Sequence, residues 1–564
     1  MVDLQARPFY LDDKGVEWVN KTLANMSTED KIGQLFCLIA TSGDVSALED
    51  IFRTLTPGGM TYRPFPAGDC LRLTSFLQER SQIPMLISAN LEKGGNGIVT
   101  EGTMLASPMA IAATGDVGFA QKLGAICGAE GRAVGGNWAF APVIDIDYNF
   151  RNPITNTRTF GSDPARVAAM ARTYIDELQK HGVAASIKHF PGDGVDERDQ
   201  HLVTSINDLS CEEWDETYGA VWRACIEAGS LTAMVGHIMQ PAWSKRLNPD
   251  LRDEDILPAS LSPELMGGLL RKRLGFNGMI VTDATSMAGM TIPMMRSKAV
   301  PAAIAAGADM FLFTRNLQED YGYMCQGVQD GTITPERLDD AVARILAVKA
   351  ALGLHIAWEA PTAENAAKTI GRTTHRQWAA ECADKAITLV KEQPGVLPLS
   401  PTKTPRILYY PIEADQGFGN YVKAGVCDQF KDMLEAAGFR VTIFTPSARK
   451  EGKVQTGKDI LENYDVILYL LNIATKSNQT TVRIEWQQPM GANCPHYLTG
   501  IPTIAVSVEN PYHLLDMPRV KTFINAYCST EETLCAVLDK LMGKGAFNGQ
   551  SPIDPFCGKW DTRL

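Results

Sequence analysis

The sequence predicts an α/β protein in two parts, an N-terminal (β/α)8 barrel of the TIM type followed by a smaller α/β sandwich domain. Three observations carry this. Eight short apolar runs recur between residues 33 and 313, most of them separated by helical patterns. Several of these runs end in polar or ionisable residues, as expected where parallel strands converge on one barrel mouth. A second series of strand-like runs follows Pro394-Gly395-Val396-Leu397-Pro398-Leu399-Ser400-Pro401, a stretch punctuated like a connector. An open doubly wound sheet is the alternative for the first part, but no glycine-rich phosphate fingerprint follows an early strand.

The runs in order are 33–40, 58–61, 85–89, 138–146, 183–189, 232–237, 279–283 and 308–313. Residues 165–181 have apolar side chains at helical spacing and stop before Gly182, a C-terminal helix signal. Residues 263–274 read as a helix with Ser262 as N-cap and Pro263 in the first turn. The barrel is expected over 1–355 and a connector over 356–404, with a helical piece at 374–390. The sandwich with a C-terminal tail is expected over 405–564. Within it, strands are expected at 406–410, 440–444, 466–471 and 503–508, and helices at 421–437 and 530–542.

At 564 residues the chain is too long for one ordinary core, and 45% apolar residues suffice to fill two. A formal charge of −12 argues against nucleic acid or an anionic membrane as the main partner. No apolar stretch is long enough to span a bilayer, and no hydrophobic segment of signal-peptide type follows Met1. The twelve cysteines form no CxxC pair, which favours free thiols in a reducing compartment. A cytoplasmic protein is the expectation.

The densest chemistry lies in Lys188-His189-Phe190-Pro191-Gly192-Asp193-Gly194 and Asp199-Gln200-His201, at the end of the fifth run. Asp199 and His201 are close enough for the carboxylate to bond one imidazole nitrogen, leaving the other for acid/base work. Asp283 closes the seventh run, where a carboxylate serves either as nucleophile or as cap of the next helix. Asp309 lies near the start of the eighth run, so a structural role is expected. Asn90 and Glu92 follow the third run, and His237 closes the sixth. A metal site on His189, His201 and His237 is disfavoured, because the HExxH spacing and cysteine ligands are both missing.

Taken together, Lys188-His189-Phe190-Pro191-Gly192-x-Gly194-x4-Asp199-x-His201 resembles the signature of glycoside hydrolase family 3, in its β-N-acetylglucosaminidase branch. Thr28-Glu29-Asp30-Lys31-Ile32-Gly33-Gln34-Leu35 resembles the family's opening, Arg158-Thr159-Phe160-Gly161 its Arg-Ser-Phe-Gly element, and Val281-Thr282-Asp283-x2-Ser286-Met287 its nucleophile segment. The resemblance implies that Asp283 is the nucleophile and that His201, paired with Asp199, is the acid/base. It also implies that Asn90, Arg158, Lys188, His189 and Asp193 bind the sugar. Two positions depart from the family pattern: Asn90 stands where an aspartate is common, and Asp193 where histidine is common.

The activity implied is a retaining, exo-acting β-N-acetylglucosaminidase on muropeptide or chitin-derived oligosaccharides, with a place in cell wall recycling and no cofactor or metal. The alternatives are a phosphorylase with inorganic phosphate as acceptor, a β-glucosidase, and a non-catalytic sugar-binding protein. A homo-oligomer is left open.

Overall fold

The structure, a computed structural model, describes residues 2–356, 358–417, 420–445, 457–474, 476–478, 480, 482–488 and 490–564. Two compact units emerge from it. The first comprises Met1–Leu105, Val117–Asn149 and Asp163–Arg376. The second comprises Ala106–Asp116, Phe150–Ser162 and Gln377–Leu564.

The first unit is the barrel. Its strands are β1 (Phe36–Ile39), β2 (Gly59–Thr61), β3 (Leu86–Ala89), β4 (Trp138–Ala139), β5 (Ala184–Phe190), β6 (Thr232–Val235), β7 (Met279–Thr282) and β8 (Phe311–Leu312). Each pairs in parallel with its neighbour from β1 to β7, and β8 pairs with β1. A parallel bridge between Val281 and Met310 joins β7 to β8 and closes the ring. All seven residues of β5 are buried, as expected of a parallel strand covered on both faces.

Several runs shorten on folding, and two of them show why. Gly33 and Gln34 finish the helix Thr28–Gln34, which Ser27 and Asp30 start with a reciprocal capping box, so β1 begins only at Phe36. Run four pairs regularly only at Trp138 and Ala139. Pro142, which has no N–H to give a ladder, follows, and pairing resumes at a single Val143–Lys188 bridge.

The helix Pro164–Lys180 is capped by the Asp163 carboxylate, which accepts from the Ala165 N–H, and it buries Val167, Met170, Ala171, Tyr174, Ile175 and Leu178 on one stripe. Ser262 Oγ accepts from the Leu265 N–H at 3.2 Å, in front of the helix Glu264–Arg273, whose hydrogen bonds follow the π pattern rather than the α pattern.

The second unit holds a six-stranded sheet of β9 (Thr388–Lys391), β10 (Arg406–Glu413), β11 (Arg440–Ile443), β12 (Val466–Asn472), β13 (Thr503–Ser507) and β14 (Thr522–Asn525). The spatial order is β9-β14-β13-β12-β10-β11, and every pairing is parallel except β9 with β14. Along β12, Val466, Leu468 and Leu470 enter one core while Ile467, Tyr469 and Leu471 enter the other, a period of two that fills both faces.

The stretch 356–404 is more structured than a connector. It contains the helices Ala363–Thr369 and Thr373–Ala386 and the edge strand β9. The helix expected from 421 starts at Val426, after Gly425 in the left-handed region at φ 75°, and Asn420–Lys423 pairs with Asp415–Gly417 instead.

Two pieces of chain from within the barrel sequence complete the second unit. In the first, Ser107 Oγ donates to Tyr527 O at 2.7 Å, and Gln550 N–H donates to Ala113 O at 2.8 Å. In the second, Asn156 Nδ2 donates to Asn510 Oδ1 at 3.0 Å. Among the described residues no helix is long and apolar enough to cross a membrane.

Candidate active site

The carboxyl ends of β3, β5, β6 and β7 deliver the ionisable residues. Lys188, on β5 and nearly fully buried, sits 2.7 Å from Glu92 Oε1 and donates to Asn90 Oδ1 at 3.4 Å. The residues after β3 and those on β5 therefore hold one another, and the buried ammonium has a counter-charge, without which burial would be costly.

Next to it, His189 Nδ1 lies 2.6 Å from Asp145 Oδ2. The other oxygen of Asp145 accepts from the His189 N–H at 3.1 Å and from the Asp193 N–H at 2.8 Å. A carboxylate at Nδ1 places the shared proton there and turns Nε2 outward. That nitrogen lies 3.9 Å from Asp283 Oδ2. Asp145 is the site residue that the sequence reading missed. Its signal was present, because Val143-Ile144-Asp145-Ile146 places a carboxylate inside an apolar run, where it must find partners.

Asp283 directly follows β7. Its Oδ1 accepts from the Ala284 N–H at 2.7 Å, and its side chain is 14% exposed. Burial pushes its carboxyl up, but His189, His237 and His201 together hold it below the usual carboxylate range. The group is thus ionised at neutral pH, and among the described residues no donor lies within hydrogen-bonding distance of its second oxygen. That combination suits a nucleophile.

His237, fully buried, is held below the usual imidazole range by burial. Its Nε2 donates to Ala284 O at 3.0 Å, so its Nδ1 accepts from Ser260 Oγ at 2.8 Å. This neutral ring braces the main chain beside Asp283.

His201 and Asp199 form the expected pair. His201 Nδ1 lies 2.7 Å from Asp199 Oδ1, which also accepts the His201 N–H at 2.8 Å. Asp199 is buried while the imidazole is 23% exposed, leaving Nε2 to exchange a proton with a ligand.

Asp193, expected as a sugar contact, is buried within the loop. Its Oδ1 accepts from the Gly194 N–H at 2.7 Å and its Oδ2 from Gln200 Nε2 at 3.2 Å. Arg158 lies in the short 3-10 turn Asn156–Arg158 of the second unit, and its guanidinium donates to Ile154 O at 3.4 Å. Asp309 is fully buried among arginines, away from this constellation. Among the described residues no group of three or more His, Cys, Asp and Glu side chains is arranged to hold a metal ion.

This geometry can be set beside known proteins. The Glycosyl hydrolase family 3 N terminal domain matches residues 69–348. A Beta-N-acetylglucosaminidase/beta-glucosidase of Cellulomonas fimi is 53% identical over 565 residues, covering 100% of both chains. Among solved structures, the Beta-glucoside phosphorylase BglX aligns with a TM-score of 0.94 at 46% identity, covering 99% of each chain. A glycoside hydrolase family 3 beta-N-acetylglucosaminidase from Paenibacillus sp. str. FPU-7 aligns with a TM-score of 0.80 at 25% identity, covering 95% of this chain and 100% of its own.

Proposed function

The chain belongs to glycoside hydrolase family 3, and we propose that it removes terminal β-linked N-acetylglucosamine or glucose units from small glycosides by a retaining double displacement. The observation that supports the mechanism is geometric. Asp283 directly follows β7, with Oδ2 3.9 Å from His189 Nε2. His201, oriented by Asp199 at 2.7 Å, is tied by its carbonyl to the Ala288 N–H in the segment that follows Asp283. In the first step His201 Nε2–H protonates the leaving oxygen while an Asp283 oxygen attacks the anomeric carbon. The glycosidic bond breaks and a glycosyl ester forms. In the second step the neutral imidazole takes a proton from the acceptor, which attacks the anomeric carbon and releases Asp283. Lys188 and His189 donate to sugar hydroxyls, and Asn90 serves as a neutral hydrogen-bonding partner. With an asparagine in place of a carboxylate, this last contact is weaker than a charge-assisted bond. Muropeptide and chitin-derived oligosaccharides fit this chemistry as substrates, as does a role in cell wall recycling in the cytoplasm.

The double preference for the sugar rests on the two names carried by the Cellulomonas fimi relative and on the β-glucoside substrate of the phosphorylase. A second reading concerns the acceptor. A carboxylate acid/base repels an approaching phosphate, whereas an imidazole does not, and the 46% identical structure is that of a phosphorylase. Phosphate in place of water would yield the sugar 1-phosphate.

One experiment separates these readings. The enzyme is incubated with p-nitrophenyl N-acetyl-β-glucosaminide and with the β-glucoside, each with and without phosphate, and the first-formed sugar products are followed by NMR. Two inversions at the anomeric carbon leave a β-configured product. An α-configured first product would refute double displacement, and free sugar alone at saturating phosphate would eliminate phosphorolysis.

A further inference from the structure

We propose that Gln200, the residue between the two members of the dyad, is a positioning residue that holds His201 in the geometry needed for proton transfer. The inference rests on the acid/base role given to His201 above.

Gln200 is 0% exposed, although the side chain of its neighbour His201 is 23% exposed. Its amide is used at both ends. Oε1 accepts the His237 N–H at 2.8 Å, and Nε2 donates to Asp193 Oδ2 at 3.2 Å. A buried amide is costly unless both ends are bonded, so these contacts specify where the loop sits as well as stabilising it.

The first bond leads towards the nucleophile. The His237 main-chain N–H donates to Gln200 Oε1, and its ring Nε2 donates to Ala284 O beside Asp283. The second bond leads towards the sugar-binding residues, because the Asp193 N–H donates to the Asp145 carboxylate that orients His189. One side chain thus joins the acid/base loop to both other parts of the machinery.

The surrounding main chain agrees with a loop docked in one place. The Ala288 N–H donates to His201 O at 3.0 Å, and Thr204 Oγ1 donates to Gly289 O at 2.8 Å. Ser205–Ile206 pairs in parallel with Ile238–Met239, just past β6. A Cβ on Gly289 would lie 2.4 Å from Gln200 O, so the loop can approach this closely only because residue 289 is glycine. Gln200 is itself fully buried, so its effect on chemistry passes through the residues that it holds, and a loss confined to leaving groups that need a proton is the mark of His201.

The test uses the full-length enzyme and two aryl glycosides of the sugar that it cleaves best. One has a 2,4-dinitrophenyl leaving group, which departs without a proton, and the other a p-methoxyphenyl group, which needs one. General acid catalysis is worth about 10²–10⁴-fold. His201→Ala should therefore lose far more kcat/KM on the p-methoxyphenyl substrate than on the dinitrophenyl one. Gln200→Ala, and Gln200→Met, which keeps the volume while removing both bonds, should show the same selective loss to a smaller degree, about tenfold or more. Their melting temperatures should fall, since the His237 N–H and the Asp193 carboxylate lose this partner, but both variants should remain folded at the assay temperature.

If His201→Ala loses both activities equally, the acid/base assignment fails. If His201→Ala is selective but the Gln200 variants lose both activities equally, or neither, the positioning role is refuted. It is also refuted if neither Gln200 variant folds, since the residue would then be purely structural.

Discussion

Asp283 and Asp309 are aspartates on neighbouring parts of the same barrel, one directly after β7 and the other just before β8, and they live in opposite surroundings. Asp309 is 0% exposed and lies against three guanidinium groups: Arg271 at 2.5 Å, Arg337 in direct contact and Arg344 at 3.9 Å. It also accepts the Ile280 N–H at 2.7 Å. Asp283 has one main-chain donor and an imidazole at 3.9 Å. A carboxylate surrounded by donors has nothing left to give a substrate. One that is kept ionised but under-bonded can attack an electrophile. The contrast runs along the barrel axis, since the mouth in general carries chemistry and the base carries stability.

The sharpest way to break this comparison is to remove each carboxylate in turn. Asp283→Ala should lower kcat/KM on the order of 10⁴-fold or more, the scale set by loss of a nucleophile, with a melting curve close to wild type. Asp309→Ala should do the reverse. Arg337 and Arg344 keep Asp340, but Arg271 loses its carboxylate in a mostly buried setting. Breaking such a pair costs about 3–5 kcal/mol, so denaturant unfolding should shift strongly while activity per folded molecule persists. Loss of turnover in Asp309→Ala without loss of stability would invalidate the division of labour.

The smallest expected effect concerns Lys349. It is fully buried, donates to Gln34 Oε1 at 2.6 Å, and is held down to about 7 by burial. In the unfolded chain the amine titrates at about 10.4. Between these values the unfolded state binds more protons, so this residue makes stability rise as pH increases from about 7 towards 10. The cost of burying the ammonium is fully present below that window. Lys349→Met should therefore flatten the rise: the melting temperature of the variant relative to wild type should fall between pH 7 and pH 9. An unchanged difference across that range would show that Lys349 does not titrate there.

The barrel and half of its site were legible because the signal was local. An apolar run that ends abruptly in Asn90, Lys188-His189, His237 or Asp283 announces a buried strand with a polar or ionisable tip, whatever surrounds it. Asp145 escaped because it lies beyond the last regular pair of β4, in a stretch interrupted by Pro142, where no strand end marks it. The setting of Gln200 could not be read at all, since it depends on residue 289 being small enough to admit the loop. The same division holds in the second unit. The central strands β10, β12 and β13 read as apolar runs. The edge strand β9 instead looked like a continuation of the helix before it, and it pairs through β14, a short strand with little pattern of its own.

The discontinuity of the second unit has a consequence for how the chain is made. A ribosome releases Ser107 and Asn156 long before their partners exist, since 420 residues separate Ser107 from Tyr527 and 354 separate Asn156 from Asn510. Until the C-terminal strands emerge, buried apolar side chains such as Met109, Ile111 and Phe160 have, of their own unit, only the two short early pieces to pack against. The barrel therefore cannot be obtained by a single cut near residue 376, because such a fragment would carry two orphaned pieces of another core. Vectorial synthesis makes the last residues translated the ones that shelter some of the first.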